Sequence, residues 1–377
     1  MKQFNNLKIL AIETSCDDTC VAIIKVSDKK NPRFNILSDI ASSQAQIHQK
    51  YGGIYPALAR REHQKNLPII FKKIVRGRTS YNFDIIAVTV GPGLEPCLWV
   101  GVNFARELAH KLNVPIVPVN HIESHILVNA INNPAPLSKD RRGQQLTISN
   151  FPAICLVVSG GHTQLILMRD FGEYKILGET RDDAAGECLD KVARILGLDY
   201  PGGPEIAKQA SLRRSDLRKC GGRTSASLSK LPRPMMHTKN YDFSFSGLKT
   251  AVLYNFKTQP PKIRKNKEYI RKMCSEIQQA IIDVLIKKTI KAAKDYRVKT
   301  IVLGGGVSAN DELRKQLKKA CLKCHFKHLI PPKNLSTDNA VMTAVAGYFR
   351  WGQRRTENWK HIKADANLRI DIGNFEF

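Results

Sequence analysis

His121 and His125 stand four residues apart in Asn120-His121-Ile122-Glu123-Ser124-His125, and on a helix that spacing puts both imidazoles on one face, where they can share a metal ion. The same spacing also occurs on solvated helix faces, so the pair by itself leaves both readings open. A third hard ligand is available late in the chain, in Leu335-Ser336-Thr337-Asp338-Asn339-Ala340. Asp338 reads equally as the N-cap of the apolar helix that follows. With the two histidines it would make a two-histidine, one-carboxylate set with positions left for substrate oxygens.

Glycine turns supply a second kind of chemistry. Gly304-Gly305-Gly306-Val307-Ser308-Ala309-Asn310 lies between a strand and a helix, where backbone amides can approach a phosphate or nucleoside without interference from Cβ; a tight turn without ligand has the same look. Ser159-Gly160-Gly161-His162-Thr163 offers two glycine amides, two hydroxyls and an imidazole between two strands. Ser15, Cys16 and Asp17, in the polar turn Glu13 to Thr19, form a candidate phosphate turn on another hairpin, longer and more polar than a plain hairpin needs. Asp182 and Asp183 read as helix-start acids complementing the dipole, whereas Asp190 lies deeper and precedes Tyr200-Pro201-Gly202-Gly203-Pro204. It could hold a ribose hydroxyl or an amine. A GxGxxG fingerprint and a Walker A run are both absent, which argues against a Rossmann oxidoreductase and a P-loop enzyme.

These motifs sit on alternating strands and helices. Strands are expected at Leu7 to Ile12, Cys20 to Val26, Asp84 to Val90, Pro115 to Val119, Ala153 to Val158, Gln164 to Met168 and Thr300 to Leu303. Helices are expected at Ala57 to Val75, Leu98 to Leu112, Glu268 to Lys294, from Asp311, and at Ala340 to Phe349. The result is an α/β fold in two lobes that look like variants of one plan. The first spans 1–135 and is completed by about 338–377; the second spans 150–337 and carries a basic insertion at 208–240. Loss of periodicity over 131–150 marks the boundary.

The chain's 377 residues suffice for two cores. No apolar run is long enough for a membrane span. The nine cysteines are scattered, which favours thiols in a reducing compartment, and Cys321-Leu322-Lys323-Cys324-His325 matches haem-attachment spacing only formally. A net charge of +27 points to a polyanionic partner, nucleic acid first. Arg213, Arg214, Arg218, Lys219 and Arg223 crowd one basic stretch, with Lys262, Arg264, Lys265 and Lys267 forming another. These cations read either as phosphate contacts or as a tolerated surface loop.

Taken in order, the runs beginning at Glu13, Asn120, Val158, Asp182, Tyr200, Asp242 (Asp242-Phe243-Ser244-Phe245-Ser246-Gly247-Leu248-Lys249-Thr250), Gly304 and Thr337 resemble the tRNA threonylcarbamoyladenosine transferase family, once labelled O-sialoglycoprotein endopeptidase. They span nearly the whole chain, and Ser15-Cys16-Asp17 is similar to the bacterial-type branch, which includes mitochondrial members. The resemblance implies a duplicated actin-like, sugar-kinase or heat-shock-chaperone ATPase fold with a central ligand cleft between the two lobes. It further implies that the threonylcarbamoyl group passes from threonylcarbamoyl-AMP, made by a separate synthase, to N6 of the adenosine beside the anticodon in tRNAs reading ANN codons. AMP leaves, and no covalent nucleophile is required. On this reading His121, His125 and Asp338 hold one divalent metal, zinc or iron or else magnesium. Val157, Val158, Ser159, Gly160 and Gly161 cradle the adenylate, and Asp190, Gly203 and Asn310 contact its sugar, base or threonyl part.

Other readings fit less. A metalloprotease wants its glutamate directly after the first histidine, but Glu123 is two positions on and projects roughly 200° away. An actin-like ATPase or small-molecule kinase shares the fold but not the histidine pair, and a non-catalytic nucleic-acid binder leaves the glycine turns unexplained. The expected setting is the mitochondrial matrix, with bacterial cytoplasm as the alternative. The expected partners are tRNA, the synthase and a second copy of the chain, with no membrane.

Overall fold

The computed structural model describes residues 6–28, 32–76, 82–131, 146, 150–217, 230–353 and 358–371, with the side chains of 213–217 set aside. The boundary stretch 131–150 therefore lies outside the described residues except for Ile131, Leu146 and Asn150.

The first sheet begins as the expected hairpin, β1 (Leu7–Glu13) with β2 (Asp18–Ser27), Leu10 standing opposite Ile23 and Ile12 opposite Val21. β3 (Arg33–Ser43) then pairs antiparallel with β2. No strand was expected there, because the segment mixes half-buried with exposed residues, the pattern of a sheet edge rather than a core run. After α1 (Ala45–Gln49) and α2 (Pro56–Val75), β4 (Ile85–Gly91) joins β1 in parallel. Beyond α3 (Glu95–Leu112), β5 (Ile116–Asn120) joins β4 and runs directly into α4 (His121–Leu127).

The second sheet repeats the plan. β6 (Ala153–Val158), β7 (Thr163–Asp170) and β8 (Glu173–Glu179) form an antiparallel meander, again with an edge strand the sequence did not announce. The helices α5 (Ala185–Ile195), α6 (Gly202–Leu217), α7 (Ser246–Thr258), α8 (Pro261–Arg264) and α9 (Lys267–Asp295) follow. β9 (Thr300–Gly304) then pairs in parallel with β6, and α10 (Asp311–Lys323) leads to β10 (Lys327–Leu329) on the outside of β9. The strand orders, β3-β2-β1-β4-β5 and β8-β7-β6-β9-β10, are the same order built twice. The chain finishes at α11 (Ala340–Gly352), which packs back across the first sheet.

Apolar side chains form one core beneath α2 and α3, one among α5 to α10, and a third that joins the sheets. The joining core combines Ile9 and Ile24, Cys155 and Ile166, and Met342 and Val345 of α11. Burial of α4 and α11 in this shared core lets residues far apart in sequence meet at fixed geometry.

Gly304 explains how closely the halves approach, and Gly305 how closely the turn after β9 approaches β6. A Cβ on Gly304 would lie 2.5 Å from the His125 carbonyl oxygen, and one on Gly305, at φ +84°, would lie 2.4 Å from that of Val158. These residues therefore serve backbone packing, while Gly306 opens to free space. Gly305→Ala is expected to lower the unfolding free energy by at least about 1–3 kcal/mol from backbone strain alone, read as a lower urea midpoint. An unchanged midpoint would contradict this packing role.

Candidate functional site

Asn120 ends β5 and caps α4, its Oδ1 accepting the N–H groups of Ile122 at 2.8 Å and Glu123 at 3.1 Å. The cap places His121 and His125 one turn apart at the sheet's C-terminal edge. Both are buried, with ring centroids 4.7 Å apart and planes at 79°. Asp338 joins them because it is not the helix cap. Asn339 takes that role, its Oδ1 accepting the Met342 N–H at 2.8 Å. The N-cap expectation for Asp338 misses by one residue, which frees a carboxylate. Asp338 Oδ1 lies 3.2 Å from His125 Nε2 and 3.6 Å from His121 Nε2.

A metal fits this group. One ligand atom from each residue falls within 4.8 Å of the others, and ligands at about 2.1 Å from a tetrahedral or octahedral ion stand about 3.0–3.4 Å apart. Neither ring nitrogen of His125 has a hydrogen bond of good geometry, an imbalance that an ion taking Nε2 relieves in part. Glu13 completes the setting: its Oε2 lies 3.2 Å from His121 Nδ1 and accepts the Thr89 hydroxyl at 2.6 Å, while Oε1 accepts the Ser15 N–H at 2.6 Å. Such a carboxylate fixes the imidazole tautomer and leaves Nε2 as the ligand.

Electrostatics follow from burial and these contacts. Burial alone would lower the His121 pKa, but Asp338 and Glu13 together raise it to about 9. Burial pushes His125 below the usual histidine value, so that ring is neutral at neutral pH. Burial opposes ionisation of Asp338, yet His121 and His125 hold it down at about 2.

Glu123 faces the other way. It is buried, accepting Tyr174 Oη at 3.1 Å on Oε1 and pairing with Arg350 Nη1 at 3.1 Å through Oε2. It therefore cannot act as a base on the ion's open side.

The cluster borders a cleft of about 1450 Å³ between the lobes. Ser15, Cys16 and Asp17 line one wall; Ser159, Gly160, Gly161, Asp190, Gly203 and Asn310 line the other. Around Gly160 and Gly161 a Cβ would meet nothing within 4 Å, so a ligand can come close to their backbone. Val157 and Val158 are different: both are fully buried in β6 and absent from the wall, so their side chains serve the cores. Two lining residues are partly committed elsewhere. Asp190 Oδ1 accepts the Gly202 N–H at 2.7 Å where α6 begins, and Asn310 caps α10 while donating to Gln278 Oε1 at 2.8 Å.

Asp182 and Asp183 correct the helix-start reading. Asp182 accepts from the hydroxyls of Ser244 and Ser246 and the Phe245 N–H, anchoring the segment before α7, and Asp183 pairs with Lys191 at 2.6 Å and Lys249 at 2.8 Å. His162, the imidazole of the Gly160-Gly161 turn, lines the cleft with its pKa pushed down to about 4 by burial and by the neighbouring histidines. No spacing pattern marked it.

In the basic stretch, Arg233 is consumed by Glu276 and Asp283. Arg213 and Arg214 fall on α6, but their side chains, like all of Arg218, Lys219 and Arg223, lie outside the described residues. Cys16 and Cys20 carry free thiols, as do Cys321 and Cys324.

A model of the tRNA N6-adenosine threonylcarbamoyltransferase family matches residues 35–345. The chain belongs to this family of transferases. A tRNA N6-adenosine threonylcarbamoyltransferase from Thermosipho africanus (strain TCF52B) is 47% identical over 364 residues, 96% of this chain and 99% of its own. One from Syntrophomonas wolfei subsp. wolfei (strain DSM 2245B / Goettingen) is 41% identical over 348 residues, 92% of this chain and 93% of its own. Among solved structures, T. kodakarensis HypF aligns with TM-score 0.50 at 13% identity over 92% of this chain and 48% of that one, a likeness of fold alone. The chain thus has the duplicated α/β architecture expected for it, two sheets with the same strand order. Among the described residues no helix is long and apolar enough to cross a membrane.

Proposed function

We propose that the protein transfers the threonylcarbamoyl group of threonylcarbamoyl-AMP to N6 of the adenosine beside the anticodon in tRNAs reading ANN codons. The observation that carries this reading is the His121, His125 and Asp338 cluster set at the cleft between turns from both lobes. Those three residues hold one divalent metal, zinc or iron or else magnesium. When bound, the ion acts as a Lewis acid toward substrate oxygens.

The remaining work belongs to the chain. Gly160 and Gly161 present amides to the adenylate phosphate, Ser15 to Asp17 approach from the facing wall, and Asp190, Gly203 and Asn310 border the nucleoside end. N6 attacks the carbamoyl carbon, the carbon–oxygen bond to phosphate breaks, its electron pair leaves with AMP, and N6 releases a proton. An aryl amine is a weak nucleophile, so rate comes from orientation and from stabilised charge. Glu123, turned into the core, gives a peptidase no general base.

Purified protein supplied with threonylcarbamoyl-AMP, a divalent metal and unmodified tRNA should yield the modified nucleoside by mass spectrometry. No product, even with accessory bacterial proteins added, would overturn the reading. Metal binding should itself respond to pH. His121 is protonated below about pH 9 in the metal-free protein, and a ligand must shed that proton, so apparent affinity should rise about tenfold per pH unit up to about 9 and then level. A flat profile by competition titration between pH 7 and 9 removes His121 from the ligand set.

Both named relatives are bacterial, which supports bacterial cytoplasm over the mitochondrial matrix. A separate synthase supplies the adenylate, and the expected homodimer is decided by sedimentation.

A further inference from the structure

Lys50-Tyr51-Gly52-Gly53-Ile54-Tyr55 joins α1 to α2 at the rim of the cleft, where Gly52, Gly53 and Ile54 form part of the wall. Tyr51 and Tyr55 flank that stretch and leave 52% and 54% of their surface in water. Their rings are stacked on each other, with centroids 5.6 Å apart and planes at 25°. Lys50 Nζ stands over the Tyr51 ring, 5.1 Å from its centroid.

The turn is held in place rather than hanging free. Tyr51 N–H donates to the His48 carbonyl at 2.9 Å, Gly52 N–H to that of Gln49 at 2.9 Å, and Tyr55 N–H to His48 Nδ1 at 3.3 Å. Gln49 Nε2 then reaches the second lobe, donating to Asp199 Oδ1 at 3.0 Å. Gly52 has φ +64°, and a Cβ there would lie 2.7 Å from the Arg194 guanidinium, so the turn is pressed against α5. An anchored aromatic pair binds a flat partner with little ordering cost.

We propose that Tyr51 and Tyr55, with Lys50, form a stacking platform for an unpaired nucleobase next to the adenosine that enters the cleft. The inference rests on the tRNA reading above. An adenosine whose N6 must reach the cleft leaves its stack and uncovers the faces of its neighbours. Exposed aromatic rings beside a cation take up such a base whatever its identity, while the ammonium serves the adjoining phosphate. The chain's net charge of +27 favours a polyanion over an apolar protein surface at this rim.

The test uses the full chain and an anticodon stem-loop RNA carrying 2-aminopurine immediately 3′ of the target adenosine. Wild type should quench the probe on binding. Tyr51→Ala/Tyr55→Ala and Tyr51→Leu/Tyr55→Leu should abolish the quench and raise KM for the RNA about ten- to a hundredfold, with kcat within about twofold. Tyr51→Phe/Tyr55→Phe should keep both. The substituted side chains are half in solvent, so unchanged melting temperatures accompany these effects. An alanine pair with wild-type quench and KM overturns the platform while leaving the tRNA reading intact. So does an alanine pair that keeps RNA kinetics but loses self-association, which would make the rings a protein contact. A wild-type chain that neither binds the RNA nor forms modified nucleoside removes both.

Discussion

His125→Ala should abolish stoichiometric metal binding and reduce nucleoside formation by more than about 100-fold, while the metal-free protein melts within a few degrees of wild type. Loss of a neighbour that merely orients a metal ligand costs roughly 10- to 100-fold in affinity or activity, and His125 stands in the ligand position itself, 3.2 Å from Asp338. The small effect on the metal-free fold follows from His125 being fully buried with neither ring nitrogen well bonded. Removing it leaves a cavity but also removes a buried Nδ1 without a hydrogen bond, and these effects oppose each other. Asp338→Ala should differ. It withdraws a countercharge from His121, so the His121 pKa should fall, visible by NMR titration of the ring. Retained metal stoichiometry and full activity in His125→Ala would refute the metal assignment while leaving family membership untouched.

Glu123→Ala or Arg350→Ala should destabilise the protein by about 3–5 kcal/mol, because each breaks a buried ion pair inside the shared core. Both side chains are 3% exposed and bonded between α4 and α11, 227 positions apart in sequence. At this chain length the loss corresponds to roughly a 5 °C fall in melting temperature. The pair also links the helix carrying both histidines to the helix that Asp338 precedes, so metal affinity should fall about 10- to 100-fold as well. Glu123→Leu/Arg350→Met together should recover most of the stability, since two apolar groups leave no broken ion pair. Equal destabilisation in single and double variants would show that the pair does not act as a unit.

Much of the site was legible before folding. The four-residue histidine spacing and the glycine turns are local patterns, governed by helix and turn geometry within a few residues. The duplicated strand plan was legible in outline for the same reason, since β1, β4, β6 and β9 are continuous apolar runs. The edge strands β3 and β8 were not, because half-exposed strands lack the apolar signature. Asp338 was ambiguous until Asn339 was seen to take the cap, a one-residue choice that propensity alone does not make.

The sequence by itself determined the family and the duplicated fold, through the resemblance of its ordered motif runs, and the histidine pair, through its four-residue spacing. Only the tertiary structure decided that Glu13 orients His121, that Glu123 turns inward to Arg350, and that Val157 and Val158 belong to the core rather than the cleft wall. It also put the Tyr51 and Tyr55 stack on the cleft rim. Each of these depends on which face of one element meets which face of another. That is a property of packed, close-fitting cores joining distant segments, and no local periodicity encodes it.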